Sequence, residues 1–254
     1  MSRNFELIRE TEKVRDTNPN PGFRPAGMPG NGNGNGHHNG AGLDLDKLAR
    51  EESLKLVQRV FLLQAGEPPH TVAFAGVDHG NGCSRTCVSV AQILAEKVPG
   101  TVCVVDANLR SPSLPRFFNV TNHHGLTDAL LGDEPIRSYA QQLHPENLWL
   151  VTCGSLATDS PNLLSSERLK TRLAELRKEF DFVLIDAPPL RQYADAIAIG
   201  QLADGLVLVL EANSTRRESA LEVTNSLRSA QVRVLGAVLN KRTFPIPESL
   251  YHRF

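Results

Sequence analysis

From Thr71 onward the chain alternates short unbroken apolar runs with longer segments whose apolar residues recur every three or four positions. The runs at 71–75 (TVAFA), 101–105 (TVCVV), 182–185 (FVLI), 205–210 (GLVLVL) and 234–239 (VLGAVL) lack the polar alternation of a half-exposed strand. They predict strands buried on both faces. The helical pattern predicts helices from about Ser84 to Val98, stopped by Pro99 and Gly100, and over 126–131, 165–178, 193–201 and 215–229. Ser165 or Ser166 caps the third of these, with Glu167 near its positive end. One more strand is expected around 148–152, and 111–121 is rich in turn residues. Upstream, Asp44 or Asp46 can cap a helix reaching about Leu63. Its apolar stripe is Leu45, Leu48, Leu54, Val57 and Phe61, and its charged side carries Lys47, Arg50, Glu51, Glu52, Lys55 and Arg59. This alternation implies an α/β fold with a doubly wound, mainly parallel sheet, helices on both faces and right-handed crossovers.

Composition divides the chain without changing that picture. Residues 1–16 form a charged N-terminal segment in which 3–15 can make a short helix. The stretch 17–42, TNPNPGFRPAGMPG followed by NGNGNGHHNGAG, is dense in turn residues and offers no face to bury, which reads as a flexible linker. Its pair His37 and His38 has no further metal ligands around it. The α/β domain spans 43–243 and a short tail spans 244–254. At 254 residues with 41% apolar content, one domain can fill a sizeable core. A formal net charge of -1 provides no electrostatic argument for nucleic acid as a partner. Cysteines at 83, 87, 103 and 153 show no CxxC spacing, which points to a reduced cytoplasm rather than a disulfide framework or metal centre. No segment approaches the roughly 18 apolar residues of a spanning helix, so a membrane connection is expected to run through a partner.

The chemistry concentrates where the first core strand meets its helix. The stretch TVAFAGVDHGNGCSRTCVSVAQILA, residues 71–95, reads as strand, tight loop and helix, with Gly76, Gly80 and Gly82 in the loop. Glycines let the chain turn tightly, and the first N–H groups of the helix remain free to face an anion. The loop Gly80, Asn81, Gly82, Cys83, Ser84 and Arg85 is therefore a phosphate cradle in outline. The fingerprint GxxxxGK[ST] has lysine after its last glycine; here that residue is Cys83, followed by Ser84 and Arg85. Two buried runs end in carboxylates, Asp106 in VVDANLRSP and Asp186 in FVLIDAPP. The carboxyl ends of parallel strands form the edge where open α/β sheets bind ligands. There the two aspartates can hold Mg²⁺ or orient an attacking oxygen, with the Ser84 hydroxyl on the same metal, or they can merely cap strand ends. Asn240 and Lys241 close the last strand on the same edge, as ligand contacts or as loop surface. Cys83, at a helix N-terminus, is either a reactive thiol or a neutral loop residue.

In this ordered set the chain resembles the bacterial polysaccharide-biosynthesis tyrosine autokinases of the capsule-synthesis type, within the P-loop ATPases that include the partition and division-site ATPases. The likeness covers about residues 44–243. GNGCS at 80–84 is similar to the family's nucleotide loop, VVDANLRSP at 104–112 to its second acidic motif, and FVLIDAPP at 182–189 to its Walker B motif. GLTDALLG at 125–132, SPNLLSSERL at 160–169 and VLNKR at 238–242 resemble further segments. The resemblance implies ATP and Mg²⁺ as ligands, autophosphorylation on tyrosine, and a part in exopolysaccharide length control or export. It also implies recruitment to the inner face of the membrane by an activator or polysaccharide co-polymerase protein, and assembly into a homo-oligomeric ring. Ser84, Asp106 and Asp186 would carry the metal-linked and catalytic roles, and Asn240 would contact the base. The chain departs from the pattern at Cys83, which stands where the family has its phosphate-facing lysine. It departs again at Glu52, Lys55 and Gln58, where the family's ring-forming helix motif has arginines in its later positions. In place of a C-terminal tyrosine cluster there is Tyr251, in PIPESLYHRF.

Three readings follow. An active autokinase requires Mg-ATP binding, phosphate transfer and an acceptor such as Tyr139, Tyr193 or Tyr251. A catalytically impaired regulator of a membrane polysaccharide assembly retains the fold with little turnover, because losing a fixed cation against the phosphates removes several kcal/mol of transition-state stabilisation. A dinucleotide-binding oxidoreductase would need the third glycine of GxGxxG where Arg85 stands, and no acid clearly fills its ribose role.

Overall fold

A computed structural model describes residues 4–6, 45–63, 66–155, 163–164 and 166–241. The expected linker, the tail with Tyr251, and the pair His37 and His38 lie outside them. The strands are β1 (Asn4–Glu6), β2 (Thr71–Gly76), β3 (Val102–Asp106), β4 (Gln141–Gln142), β5 (Leu148–Val151), β6 (Phe182–Ala187), β7 (Gly205–Glu211) and β8 (Val234–Asn240). The helices are α1 (Leu45–Val57), α2 (Cys83–Lys97), α3 (Leu114–Phe118), α4 (Leu126–Leu131), α5 (Glu167–Glu179), α6 (Asp195–Leu202) and α7 (Arg217–Ser229). One sheet runs in the order β1-β8-β7-β2-β6-β3-β5-β4, parallel throughout except for the antiparallel pair β4 and β5.

The apolar runs are continuous because the sheet is covered on both sides. Val72, Phe74, Val102, Val104, Leu184, Val207 and Val209 pack with α1 and α2 on one face. Their neighbours in sequence, Ala73, Ala75, Cys103, Val105, Val183, Ile185, Leu206 and Leu208, pack with α4 to α7 on the other. Each buried Val or Leu side chain withdrawn from water contributes roughly 1.5–3 kcal/mol, which outweighs the absence of alternation.

Several expectations are corrected. Where a short charged helix over 3–15 was expected, Asn4–Glu6 instead extends the sheet beside β8. The outer edge of β8 presents unpaired backbone groups, and an extended segment satisfies them. The buried face of α1 comprises Ser53, Leu56, Val57, Val60 and Phe61, with Leu54 only partly buried. A π turn, Gln58–Leu62, continues α1; Val57 and Phe61 are buried as the predicted stripe has them, while Ser53 and Leu56 take the place of Leu54 on the buried face. Within the expected turn segment 111–121 lies α3, begun by Ser113 and Pro115. The cap of α5 is Ser166, whose hydroxyl accepts from the Leu169 amide at 3.3 Å.

Candidate nucleotide-binding site

The site is assembled at the carboxyl ends of β2, β6 and β3. After β2 the chain turns through Gly80 and Gly82, both left-handed with φ of 84° and 79°, and enters α2 at Cys83. A side chain at either glycine would be strained by its backbone conformation. The first-turn N–H groups of the 15-residue α2 have no intrahelical acceptor, and they open onto a cleft of about 260 Å³. Gly80, Asn81, Gly82, Cys83, Ser84 and Arg85 all line this cleft, facing Ser113 and Phe117 from α3 and Lys241 from the end of β8.

The loop is braced from two sides. Asn81 is 3% exposed; its side-chain oxygen accepts from the Asp78 amide at 2.7 Å, and its amide nitrogen lies 3.4 Å from Glu211 Oε2. On the other side, the segment after β6 zips onto the loop: the Leu190 amide donates to the Gly76 carbonyl at 2.9 Å, and Arg191 pairs with Asp78 at 2.8 Å. Asn240, expected to contact the base, lines the neighbouring cleft between α1 and α2. It is 1% exposed, its amide donates to the Asn81 carbonyl at 2.9 Å, and its oxygen accepts from the Lys241 amide at 2.9 Å. The side chain expected to read a base is engaged in holding the loop.

Asp106 and Asp186 are register partners on adjacent strands, both fully buried. One Asp106 oxygen accepts from the Ser113 and Leu114 amides at 3.1 and 3.0 Å. Its other oxygen and both oxygens of Asp186 receive no hydrogen bond among the described residues. Burial, and then the charge of Asp186, pushes the Asp106 carboxyl up to about 8. Burial raises Asp186 to about 6, while the neighbouring Ser84 and Cys83 side chains pull it down. Three buried carboxylate oxygens without a hydrogen bond among the described residues are costly, and a divalent cation offsets that cost. The donor set, hard oxygens from Asp106 and Asp186 beside the Ser84 hydroxyl, suits Mg²⁺, and the free N–H groups of α2 suit phosphate.

Cys83 is neutral. Burial raises its thiol well above the usual range, and the Asp186 charge adds to that. Burial thus opposes the helix N-terminus, which would favour a thiolate, and favours the neutral loop residue over the reactive thiol. Of the expected acceptors, Tyr139 is 3% exposed with its ring stacked 4.8 Å from His124, which rules it out as an accessible hydroxyl in this fold. Tyr193 is half-buried under the Arg110 guanidinium at 4.5 Å. On α1, Lys55 pairs with Glu52 at 2.5 Å and Arg50 pairs with Glu96 of α2, so part of the expected charged face is already engaged within the domain. Several residues of the site were not foreseen as such, among them Ser113, Phe117, Asp78, Glu211 and Arg191. Ser113 and Phe117 follow from a Ser and Pro helix start that could have been read, whereas no local signal identifies the contacts of Asp78 or Glu211.

The model of the family described as ATPase MipZ matches residues 70–214. The tyrosine-protein kinase YwqD of Bacillus subtilis (strain 168) is 32% identical over 161 residues, covering 63% of this chain and 68% of that protein. Among solved structures, the VpsO kinase domain matches with a TM-score of 0.70 at 25% identity, over 78% of this chain and 98% of that one. The kinase domain of the Escherichia coli tyrosine kinase ETK matches in fold with a TM-score of 0.75 at 20% identity, over 97% and 94%. Among the described residues no helix is long and apolar enough to cross a membrane.

Proposed function

Because the chain belongs to the bacterial tyrosine-autokinase family of P-loop ATPases related to the partition and division-site ATPases, we propose that it binds Mg-ATP in this cleft with impaired phosphoryl transfer. On this reading it serves exopolysaccharide or capsule biosynthesis and export as a cytoplasmic subunit recruited by a membrane partner. The observation that carries the reading is a cradle retained without its cation. The left-handed glycines, the free N–H groups of α2 and the paired aspartates are in place, while a neutral Cys83 thiol stands where the loop lysine belongs. Mg²⁺ held in this cleft would supply positive charge against the charge that develops on the phosphate oxygens.

The chain's own groups divide the work. Asp106 and Asp186, with the Ser84 hydroxyl, would hold the metal. The N–H groups of residues 83–85 would bind phosphate oxygens. Ser113, on the far wall, is held by the Asp106 carboxylate and so fixes the rim. Without the loop lysine at position 83, phosphoryl transfer loses up to about 3–4 kcal/mol of stabilisation, roughly a 100- to 1,000-fold loss in rate. The neutral thiol equally favours a second reading, a nucleotide-independent regulator of a membrane polysaccharide assembly.

Calorimetric titration with a slowly hydrolysed ATP analogue, with and without Mg²⁺, on the native chain and on Cys83→Lys, separates the two. Mg²⁺-dependent binding by the native chain is the expected result, with Cys83→Lys binding more tightly and turning over faster. Binding by the variant alone would move the assignment to the nucleotide-independent regulator.

A further inference from the structure

We infer that Lys241, from the end of β8, supplies the phosphate-facing cation that the loop itself lacks. Lys241 lines the same cleft as Gly82, Cys83 and Ser84, although it lies far from them in sequence. It is tied to one loop residue at both of its ends. Its backbone amide donates to Asn240, whose own amide donates to the Asn81 carbonyl. Its ammonium lies 3.7 Å from Glu211 Oε2, the oxygen that also faces the Asn81 side-chain amide at 3.4 Å. A single carboxylate oxygen therefore separates this cation from the loop.

The backbone supports a directed role. Lys241 has φ of 56°, a left-handed conformation that favours glycine, at the position that turns the chain out of β8 and beside the cleft. An outlier of this kind at a ligand edge is a starting point for a functional hypothesis. The Lys241 side chain is 34% exposed and its pairing with Glu211 is long, so the four-carbon stem lets the ammonium exchange a carboxylate for a phosphate. The other cations at the cleft are less suited. Arg85 lines this cleft and also the neighbouring one between α1 and α2, and is itself engaged. Arg191 is committed to Asp78. The ligand class is a polyanionic phosphate chain such as that of a nucleoside triphosphate; the inference rests on the nucleotide reading above and names a residue within it.

The test measures affinity rather than turnover. The ATP analogue and inorganic tripolyphosphate are titrated with Mg²⁺ into the native chain, Lys241→Gln, Lys241→Arg, Glu211→Gln, Cys83→Lys and the double variant Lys241→Gln/Cys83→Lys. Thermal unfolding of each ligand-free variant is recorded alongside. Loss of a charge-assisted contact should weaken both probes roughly ten- to 100-fold in Lys241→Gln, with an unchanged unfolding midpoint. Lys241→Arg should retain binding, Glu211→Gln should tighten it, and Cys83→Lys should restore affinity to the Lys241→Gln chain. Native affinity in Lys241→Gln would overturn the inference and leave the nucleotide reading standing. Binding by Cys83→Lys alone would show a sound cradle that Lys241 does not serve, which also overturns it. Absence of binding in every variant would remove the nucleotide reading and this inference together.

Discussion

Replacing Asp186 by Asn should stabilise the metal-free protein at neutral and higher pH while abolishing its response to Mg²⁺. Asp186 is fully buried, neither of its oxygens receives a hydrogen bond among the described residues, and Asp106 faces it from the adjacent strand. Its carboxyl, raised by burial from 3.8 to about 6, is harder to ionise in the folded chain than in the unfolded one. That difference corresponds to roughly 3 kcal/mol of lost stability once the group is ionised. Because the folded pKa lies above the unfolded one, the contribution is most favourable below about pH 4 and is lost as pH rises toward 6. Asp106, raised to about 8, extends the same downward trend to about pH 8. An asparagine keeps the volume and removes the charge but still buries an amide, so the net gain at pH 8 should be about 2 kcal/mol. Urea unfolding followed through Trp149, the one tryptophan of the chain, reads this directly in EDTA from pH 5 to pH 8. The native chain should lose stability as pH rises, and Asp186→Asn should show a shallower slope with an unchanged m-value. Adding Mg²⁺ with the ATP analogue should raise the native midpoint and leave the variant unmoved. A variant less stable than the native chain at pH 8, or native stability that climbs between pH 6 and pH 8, would refute the reasoning.

Two stability predictions lie away from the cleft. Arg172 on α5 is 5% exposed and donates to the carbonyls of Ala129, Gly132 and Glu134 at 2.8, 2.7 and 2.9 Å, closing the end of α4. Arg172→Leu should cost about 3 kcal/mol in urea unfolding, because the Ala129 and Glu134 carbonyls lose this donor and Gly132 keeps only Arg168; a loss below about 1 kcal/mol would mean that water replaces the guanidinium. Gln231, exposed just after α7, has φ of 58°. Gln231→Gly should gain about 0.5–1 kcal/mol and raise the unfolding midpoint by about 2 °C, since glycine removes the left-handed strain at a modest entropic cost.

Much of the site was legible because it follows from local rules. Gly80 and Gly82 announce positive φ, and runs such as FVLI at 182–185 announce buried strands whose last residue reaches the ligand edge. Asp106 and Asp186 could thus be placed on one edge, and the α5 cap could be narrowed to Ser165 or Ser166, of which Ser166 is the cap. The burial of Tyr139 could not, since its neighbours come from other elements of the fold. The π turn in α1 was equally hidden, because nothing in QRVFL distinguishes it from a continued α-helix. Asn240 was correctly placed at a strand end, yet its amide went to the loop because the loop's Asn81 carbonyl needed a donor in a buried setting.

By itself the sequence determined the α/β alternation, the covered sheet, the glycine loop and the missing lysine. Apolar period, glycine content and residue identity are properties of neighbouring positions, and neighbours in sequence remain neighbours in the fold. Only the tertiary structure decided that β6 lies between β2 and β3, so that Asp106 and Asp186 become register partners and the charge of Asp186 raises the cost of ionising Asp106. It alone brought Glu211 to Asn81 across 130 positions and Asn240 to the same loop across 159, placing Lys241 beside a cleft whose own lysine is absent. The reason is physical: a hydrogen bond or buried charge depends on distance and dielectric in space, and spacing along the chain specifies neither.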